Sequence, residues 1–206
     1  MVADLLTRGD CVSDDVVRAL HTVPRHQFLP EVDSRVAYEN DAQLTLIRRG
    51  VALSSVSQPS IVAQMLEAGH FAAGHRVLEI GTGRGYNTAL LAELVGPRGQ
   101  VFSVDIEPGL VHSAAATVGQ LGYEQIQLAV RDGRQGWPDH APFDRIIVTA
   151  GASEVAQAWS DQLSESGLLI VPLSPRRVCV VFERVDGVLA ERRGMPAGFL
   201  PVRDPE

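Results

Sequence analysis

Residues 79–85 read Glu-Ile-Gly-Thr-Gly-Arg-Gly, where an apolar run, Arg76–Ile80, gives way to a stretch of helical pattern, Tyr86–Val95. This pattern predicts a strand, a glycine-rich turn and a helix. Glycines at such a turn let the backbone change direction sharply and approach a ligand without interference from a Cβ atom. In an open parallel sheet the turn lies at the carboxyl end of a strand, where ligands bind. On its own, it fits a tight connection without a ligand equally well.

Short apolar runs alternate with helical stretches beyond this turn. Such alternation indicates βαβ crossovers, and therefore an α/β domain built on a mostly parallel, doubly wound sheet. Val178–Val185 and Val188–Arg192, joined by Asp186-Gly187, predict an antiparallel hairpin at the end of that sheet. The other predicted strands are Arg76–Ile80, Gln100–Asp105, Ile126–Val130, Asp144–Thr149 and Leu168–Leu173, and the predicted helices are Tyr86–Val95, Leu110–Leu121 and Glu154–Leu163.

The N-terminal part of the chain is less regular. Apolar residues at helical spacing between residues 12 and 20 predict a short amphipathic helix, which Val23-Pro24 ends. A further helix is predicted to begin at Ser57-Gln58-Pro59 and to end at Gly69. We therefore expect an N-terminal addition, residues 1–55, that contributes to the substrate site, followed by the main domain, residues 56–206. The two should form one compact unit.

The composition excludes several classes of function. The 206-residue chain has a net charge of −7, which argues against nucleic acid or an anionic membrane as a partner. It contains no lysine, which excludes Schiff-base chemistry, and its six histidines are scattered singly, so no metal is expected. Cys11 and Cys179 form no CxxC pair, which fits a reducing compartment. Because no signal-like or membrane-spanning run occurs, we expect a soluble cytoplasmic protein. We also expect a monomer.

Acidic residues follow the next two predicted strands at the same edge of the sheet. Asp105 ends the second strand, where a carboxylate can accept hydrogen bonds from both ribose hydroxyls of an adenosine. Asp132-Gly133 follows the third strand, where an acid can accept from the adenine amino group and a glycine lets the base lie against the backbone. Each acid alone also fits a turn residue or a helix cap. Together with the glycine-rich turn, they favour a cofactor that contains adenosine.

Spacing and charge distinguish between the candidate cofactors. A dinucleotide fingerprint is G-x-G-x-x-G, whereas this turn has G-x-G-x-G with Glu79 two residues before the first glycine. That carboxylate would repel a pyrophosphate but suits the ammonium group of S-adenosyl-L-methionine. A Walker loop is excluded because no Gly-Lys-Ser/Thr occurs, and a nicotinamide cofactor is the weaker alternative. The residues expected to bind the cofactor, whose product is S-adenosyl-L-homocysteine, are Glu79, Gly81, Thr82, Gly83, Gly85, Asp105, Asp132 and Gly133.

The sequence after the strand Asp144–Thr149 bears on the methyl acceptor. An Asn-Pro-Pro-Tyr motif, expected for methylation of amines, is replaced there by Thr149-Ala150-Gly151-Ala152. These small residues leave space for a peptide chain near the methyl group. A carboxylate acceptor is already ionised at neutral pH and needs no general base, so such a site would work by positioning and by excluding water.

A set of segments forms a joint pattern, which covers about residues 20–175. The segments are Val23-Pro24-Arg25-His26-Gln27-Phe28-Leu29-Pro30, Ser57-Gln58-Pro59, Val77–Gly85, Asp132-Gly133 with Gly136-Trp137-Pro138, and Phe143–Ala150. Together they resemble the protein-L-isoaspartate O-methyltransferases. The resemblance implies the doubly wound methyltransferase sheet, S-adenosylmethionine as cofactor, and methylation of the carboxylate of isoaspartyl residues, after which the ester closes to a succinimide.

The resemblance also implies roles for individual residues. In the family, a serine in the segment Thr-Ile-Ser-Gln-Pro lies between cofactor and acceptor, and this catalytic role transfers to Ser57, whose hydroxyl would donate to the acceptor carboxylate. Without the resemblance, Ser57 would be interpreted as the N-cap of the following helix. Neighbouring residues complete the expected site, with Ser55, Val56 and Ile106 at the cofactor and Ser54, Thr149 and Ala150 at the substrate.

The chain departs from the family ahead of this serine. Asp41–Ser54 replaces a Pro-Leu-Pro-Ile-Gly-like stretch, and the ending Gly198–Arg203 also differs. The string Ala52–Pro59 and the Gly198–Pro201 part of the ending resemble a branch that methylates an ordinary Asp in a ribosomally made precursor peptide. The expected partner is thus a peptide or protein with an isoaspartyl or aspartyl residue, and Arg48-Arg49 is either an attraction for acidic peptides or solvated surface. From another class, a non-catalytic module that binds S-adenosylmethionine and docks a peptide is the alternative.

Overall fold

The fold is assembled from strands and helices that alternate along most of the chain. The structure, a computed structural model, describes residues 1–176 and 178–202. Arg177 and residues 203–206 lie outside the described residues. All of them belong to the predicted domain 56–206, and Arg203 is also the last residue of the ending Gly198–Arg203. The described strands are β1 (Gln43–Arg48), β2 (Val51–Val56), β3 (Arg76–Ile80), β4 (Gln100–Asp105), β5 (Ile126–Val130), β6 (Phe143–Val148), β7 (Leu163–Leu173), β8 (Val178–Val185) and β9 (Val188–Pro196).

The helices differ in how their ends are formed. Both α4 and α6 carry proline in the first turn, where a missing N–H costs nothing. Gly96 follows α5 with a φ of 65°, a conformation that suits glycine at a helix end. The described helices are α1 (Val2–Arg8), α2 (Asp14–Thr22), α3 (Ser34–Ala37), α4 (Pro59–Gly69), α5 (Tyr86–Val95), α6 (Pro108–Gln120) and α7 (Gln157–Gln162).

The main sheet has seven strands in the order β5-β4-β3-β6-β7-β8-β9. The pairs from β5 to β7 are parallel, and β8 and β9 add an antiparallel hairpin at one edge. The chain therefore proceeds from β3 first towards β5 and later, from β6, towards the opposite edge. In such a sheet, ligands bind beyond the carboxyl ends of the strands at the point where the strand order reverses. The predicted α/β class and doubly wound sheet are confirmed.

Apolar layers cover both faces of this sheet. Val77 and Leu78 are consecutive residues of β3 that point to opposite faces, and both are completely buried. Val77 belongs to a cluster that includes residues of α2, α4 and α5, whereas Leu78 packs in a second cluster that includes Trp159 of α7. Burial on both faces explains why the central strands are continuous apolar runs rather than alternating ones.

The structure shifts several predicted boundaries. The helix predicted over Glu154–Leu163 is shorter, Gln157–Gln162, because Leu163 already pairs with Phe143 as the first residue of β7. An irregularity follows in β7, where Ser166 has a φ of 60°, and this explains why the sequence predicts a strand only from residue 168. In smaller corrections, β6 lies one residue earlier than Asp144–Thr149, α6 begins at Pro108 rather than Leu110, and β9 extends to Pro196.

The N-terminal part is more regular than expected. Besides the predicted helix, which is α2, it contains α1, α3 and an antiparallel hairpin of β1 and β2. Arg49 (φ 52°) and Gly50 (φ 77°) form the turn of that hairpin, as a two-residue connection with positive φ requires. The buried face of α2 shares its apolar cluster with α4 and α5. The division at residues 55 and 56 falls at the end of β2 and stays a prediction.

The helices are short. The longest described one, α6, has 13 residues, and within residues 1–176 and 178–202 no helix has the length and apolarity that a membrane span needs.

Candidate functional site

A cavity of about 610 Å³ lies beyond the carboxyl ends of β3, β4 and β6, at the point where the strand order reverses. One wall is the glycine-rich loop after β3, and the facing wall is the segment Leu53–Gln58 between β2 and α4. The C-terminal segment Ala197–Val202 lines it as well. The cavity brings together most of the predicted site residues, namely Ser54, Ser55, Val56, Ser57, Gly81, Thr82, Gly83, Asp105, Ile106, Gly133, Thr149 and Ala150.

At each glycine of the glycine-rich loop, a Cβ atom would contact another residue. Gly81 has a φ of 104°, and a Cβ atom there would lie 2.5 Å from Oγ1 of Thr149. Gly83 has a φ of 52° and faces the cavity, where a Cβ atom would lie 3.5 Å from Oγ of Ser54 on the opposite wall. Gly85, by contrast, packs against Ala114 of α6 and does not line the cavity. The first two glycines thus leave a cradle that side chains would fill.

Asp105 lies at the end of β4 with its carboxylate oriented by backbone donors. The N–H of Gly83 donates to Oδ2 at 2.8 Å, and the N–H of Glu107 donates to Oδ1 at 3.0 Å. Each carboxylate oxygen can accept more than one hydrogen bond. Asp105 can therefore hold the loop and also accept from the hydroxyl groups of a ribose in the cavity.

Glu79 lies behind the loop and does not line the cavity. It is completely buried and accepts hydrogen bonds from Asn87 Nδ2 (2.8 Å), Ser103 Oγ (2.6 Å) and the Thr88 hydroxyl. Burial raises the pKa of its carboxyl from 4.5 to about 7, although these hydrogen bonds act in the opposite direction. Asn87 does line the cavity, so Glu79 acts on the site through the residues that it holds.

Asp132 and Gly133 are neighbours with different surroundings. The Asp132 carboxylate accepts the backbone N–H of Arg134 and pairs with its guanidinium at 2.7 Å, and this hydrogen bond lowers the pKa of Asp132. Asp132 does not line the cavity, whereas Gly133 does. A Cβ atom at Gly133 would lie 2.3 Å from Ile80 Cγ2, so only glycine fits there.

Ser57 precedes α4 but is not its N-cap, so the alternative interpretation of this serine is wrong. Gln58 occupies the N-cap position and makes no side-chain capping bond. Instead, Asn40 accepts the N–H of Ser60 at 2.9 Å and satisfies a donor of the first turn. The cap is thus supplied from elsewhere in the chain, and Ser57 lines the cavity between the loop and the N-terminal hairpin.

Thr149 and Ala150 follow β6 and line the same cavity as Ser57. The Thr149 hydroxyl is directed to the carbonyl oxygens of Gly81 (2.7 Å) and Ile80 (3.1 Å). It therefore braces the glycine-rich loop. Ala150 and the threonine methyl leave this wall small, as the sequence predicts.

The C-terminal wall of the cavity is not predicted by the sequence. Gly151 makes two backbone hydrogen bonds to the C-terminal segment. Its N–H donates to the carbonyl of Leu200 at 2.7 Å, and its carbonyl accepts the N–H of Val202 at 2.8 Å. No motif in this ending indicates a contact with a residue about 50 positions earlier. Tyr86 and Asn87, directly after the loop, also line the cavity, and no pattern in the sequence indicates a role for them.

Ion pairs join the N-terminal part to the cofactor side of the cavity. Arg84 of the glycine-rich loop pairs with Glu31 at 2.6 Å, and Arg48 of β1 pairs with the buried Glu107 at 2.9 Å. Arg48 is thus engaged within the protein, whereas Arg49 lies exposed at the hairpin turn. Over residues 1–176 and 178–202, no group of three or more His, Cys, Asp or Glu side chains converges as a metal site would.

The sheet order and the cavity beside the glycine-rich loop define the α/β fold of S-adenosylmethionine-dependent methyltransferases. The family model for protein-L-isoaspartate(D-aspartate) O-methyltransferase matches residues 1–206. The chain belongs to this protein-L-isoaspartate O-methyltransferase family.

Individual relatives agree with this assignment. The protein-L-isoaspartate O-methyltransferase of Opitutus terrae is 44% identical, over 98% of this chain and 83% of the relative. That of Gloeobacter violaceus is 40% identical, over 98% of this chain and 96% of the relative. A solved protein-L-isoaspartate O-methyltransferase is 34% identical with a TM-score of 0.84, covering 96% of this chain and 64% of that longer chain. A Plasmodium falciparum structure in complex with S-adenosyl-L-homocysteine has a TM-score of 0.83 over 98% of this chain and 96% of that one, and at 22% identity it supports the fold alone.

Proposed function

We propose that the protein is a carboxyl O-methyltransferase that transfers the methyl group of S-adenosyl-L-methionine to isoaspartyl residues of peptides or proteins. One observation carries the proposal. The loop expected to bind the cofactor and the serine segment expected to bind the acceptor form facing walls of one cavity, and a Cβ atom at Gly83 would lie 3.5 Å from Ser54 Oγ.

The residues at the cavity fit S-adenosyl-L-methionine. Asp105 presents an oriented carboxylate for the ribose hydroxyls, Gly133 leaves a flat surface for the adenine, and Gly81 and Gly83 leave the cradle in which the amino-acid end would lie. When bound, this cofactor supplies a methyl group on a positively charged sulfur. An oxygen nucleophile would attack the methyl carbon and displace the sulfur. The cavity walls contribute position and exclusion of water.

The acceptor chemistry needs little from the protein. A carboxylate with an ordinary pKa of about 4 is ionised at neutral pH, so no side chain has to remove a proton from it. The Ser57 hydroxyl would donate to one acceptor oxygen and leave the other directed at the methyl group. After release, the backbone nitrogen that follows the residue would attack the ester carbon, lose its proton and expel methanol, which gives a succinimide.

The proposal extends to the setting in which the enzyme works. The described residues of a single chain line every wall of the cavity, which supports action as a monomer. The net charge of −7 supports peptides and proteins as partners rather than nucleic acid or anionic membranes, and a cytoplasmic location agrees with the two unpaired cysteines. Isoaspartyl repair is the favoured reaction over methylation of Asp in a dedicated precursor peptide.

A matched pair of peptides tests the proposal. Incubation with S-adenosyl-L-methionine and either an isoaspartyl peptide or its normal aspartyl counterpart is followed by mass spectrometry. Gain of a methyl group on the isoaspartyl peptide alone is the expected result, followed by loss of methanol from the ester, which leaves the succinimide one water lighter than the starting peptide. Methylation of the aspartyl peptide alone would favour precursor maturation. No methylation of either, with S-adenosyl-L-homocysteine still bound, would point to a dedicated precursor peptide as substrate. Peptide binding without methylation of any acceptor would favour the non-catalytic module.

A further inference from the structure

Arg25 is a completely buried charged side chain outside the cavity lining. It begins the short 3-10 turn Arg25–Phe28 in the N-terminal part of the chain. Burial lowers its pKa, as expected for a cation removed from water. Burying a guanidinium is costly unless its donors are satisfied, so its contacts show what this position accomplishes.

The guanidinium bonds to backbone carbonyl groups of α3 and of the chain connection that carries Ser57. Nε donates to the carbonyl of Ala37 at 2.7 Å, at the end of α3. Nη2 donates to the carbonyl of Ser57 at 2.9 Å and lies 3.4 Å from that of Val56. The turn between β2 and α4 is therefore tied to the N-terminal part by a planar donor group of fixed geometry.

The same guanidinium also contacts the cofactor side of the site. Its central carbon lies 4.8 Å from the centre of the Tyr86 ring. Tyr86 is buried, is the first residue of α5 and follows the last glycine of the glycine-rich loop directly. Arg25 thus touches both facing walls of the cavity from behind, the serine wall through hydrogen bonds and the loop wall through a cation–π contact.

We propose that Arg25 is a positioning residue that fixes the separation between Ser57 and the glycine-rich loop, and so aligns the acceptor with the methyl donor. This inference rests on the proposed function and deepens it. Displacement of a reacting group by about 1 Å costs on the order of 100-fold in rate, so a residue that spans both walls can control turnover without touching either ligand.

Arg25→Lys tests the proposal, because lysine keeps the charge but lacks the planar fork that reaches two chain segments. Leu29→Ala is the matched control, since Leu29 is completely buried in the same segment and is outside the cavity lining. Turnover is measured with the isoaspartyl peptide well below the melting temperature of each variant, and S-adenosyl-L-homocysteine affinity is measured by calorimetry. We expect kcat of Arg25→Lys to fall by roughly 10- to 100-fold with little change in that affinity, and kcat of Leu29→Ala to stay near wild type.

Hydrogen–deuterium exchange of residues 53–62 gives a second readout that does not depend on activity. In Arg25→Lys the amides of Val56, Ser57 and Gln58 should exchange faster, whereas in Leu29→Ala they should keep their wild-type rates. If the wild-type enzyme methylates no isoaspartyl peptide, the proposed function fails and the exchange experiment still tests the positioning role. Unchanged exchange in Arg25→Lys, or equal losses of kcat in both variants, would overturn the inference.

Discussion

The backbone N–H of Gly83 donates to Oδ2 of Asp105 at 2.8 Å, so the loop after β3 is bonded to the end of the neighbouring strand β4. Two strands that end side by side in a parallel sheet are thereby joined where the cofactor is expected. The carboxylate holds the loop before any ligand arrives, which reduces the ordering that binding would otherwise require.

Asp105→Ala should therefore weaken the binding of S-adenosyl-L-homocysteine more than Asp132→Ala does. Loss of hydrogen bonds to a charged group corresponds to roughly 10- to 100-fold in Kd for Asp105. The Asp132 carboxylate is already paired with Arg134 and lies outside the cavity lining, so its removal should change Kd by less. Calorimetric titration of both variants measures the difference, and equal losses would contradict the assignment of separate roles.

Gly81→Ala should abolish or strongly reduce cofactor binding and lower the free energy of unfolding by about 1–3 kcal/mol. The new Cβ would lie 2.5 Å from Thr149 Oγ1, at a φ of 104° that L side chains rarely adopt. Gly109→Ala in α6 is the control, because a Cβ there meets nothing within 4 Å. Urea unfolding and S-adenosyl-L-homocysteine titration of both variants provide the check, and a Gly81→Ala protein that binds normally would disprove the steric argument.

Ser57→Ala should lower kcat on the isoaspartyl peptide while leaving cofactor affinity and melting temperature near their wild-type values. The structure supplies the reason, since Asn40 rather than Ser57 satisfies the first turn of α4. Asn40→Ala is the complementary variant and should cost about 1 kcal/mol in stability. A melting temperature that falls with Ser57→Ala but not with Asn40→Ala would show that the two roles have been reversed.

The buried Glu79 should give the protein a distinctive dependence of stability on pH. Its pKa is about 7 in the folded protein against 4.5 ordinarily, so between these values the folded state binds more protons than the unfolded state. The contribution of Glu79 to the free energy of unfolding should therefore fall as the pH rises from 4.5 to about 7, by an amount on the order of 3 kcal/mol, and level off above. Urea unfolding of wild type and Glu79→Gln across this range isolates the contribution, and parallel curves for the two proteins would refute it.

The core of the sheet is predictable because its strands are short apolar runs bounded by turn residues. Arg76–Ile80, Gln100–Asp105 and Ile126–Val130 have the predicted bounds. The hairpin of β1 and β2 escapes prediction because its strands lie partly exposed, without a clean alternation of apolar and polar residues, and because Arg49-Gly50 is a weak turn signal.

The site is predictable only where a local motif carries it. The glycine-rich loop, the acids at the strand ends and the serine segment each have a recognisable pattern. Arg25 bonds to Ser57, which lies 32 positions later in the chain, and Gly151 bonds to Leu200. Such contacts follow from tertiary packing, so neither periodicity nor motif spacing indicates them.

The contact between Gly81 and Thr149 limits how this chain can be recombined with its relatives. The two residues belong to halves of the protein that lie on either side of any crossover within β4, α6 or β5. A chimera joined there inherits the loop from one parent and its brace from the other. We therefore expect such hybrids to keep a working cofactor loop only under one condition. The incoming half must present, after β6, a side chain that leaves the same space and donates the same hydrogen bond to the carbonyl of Gly81.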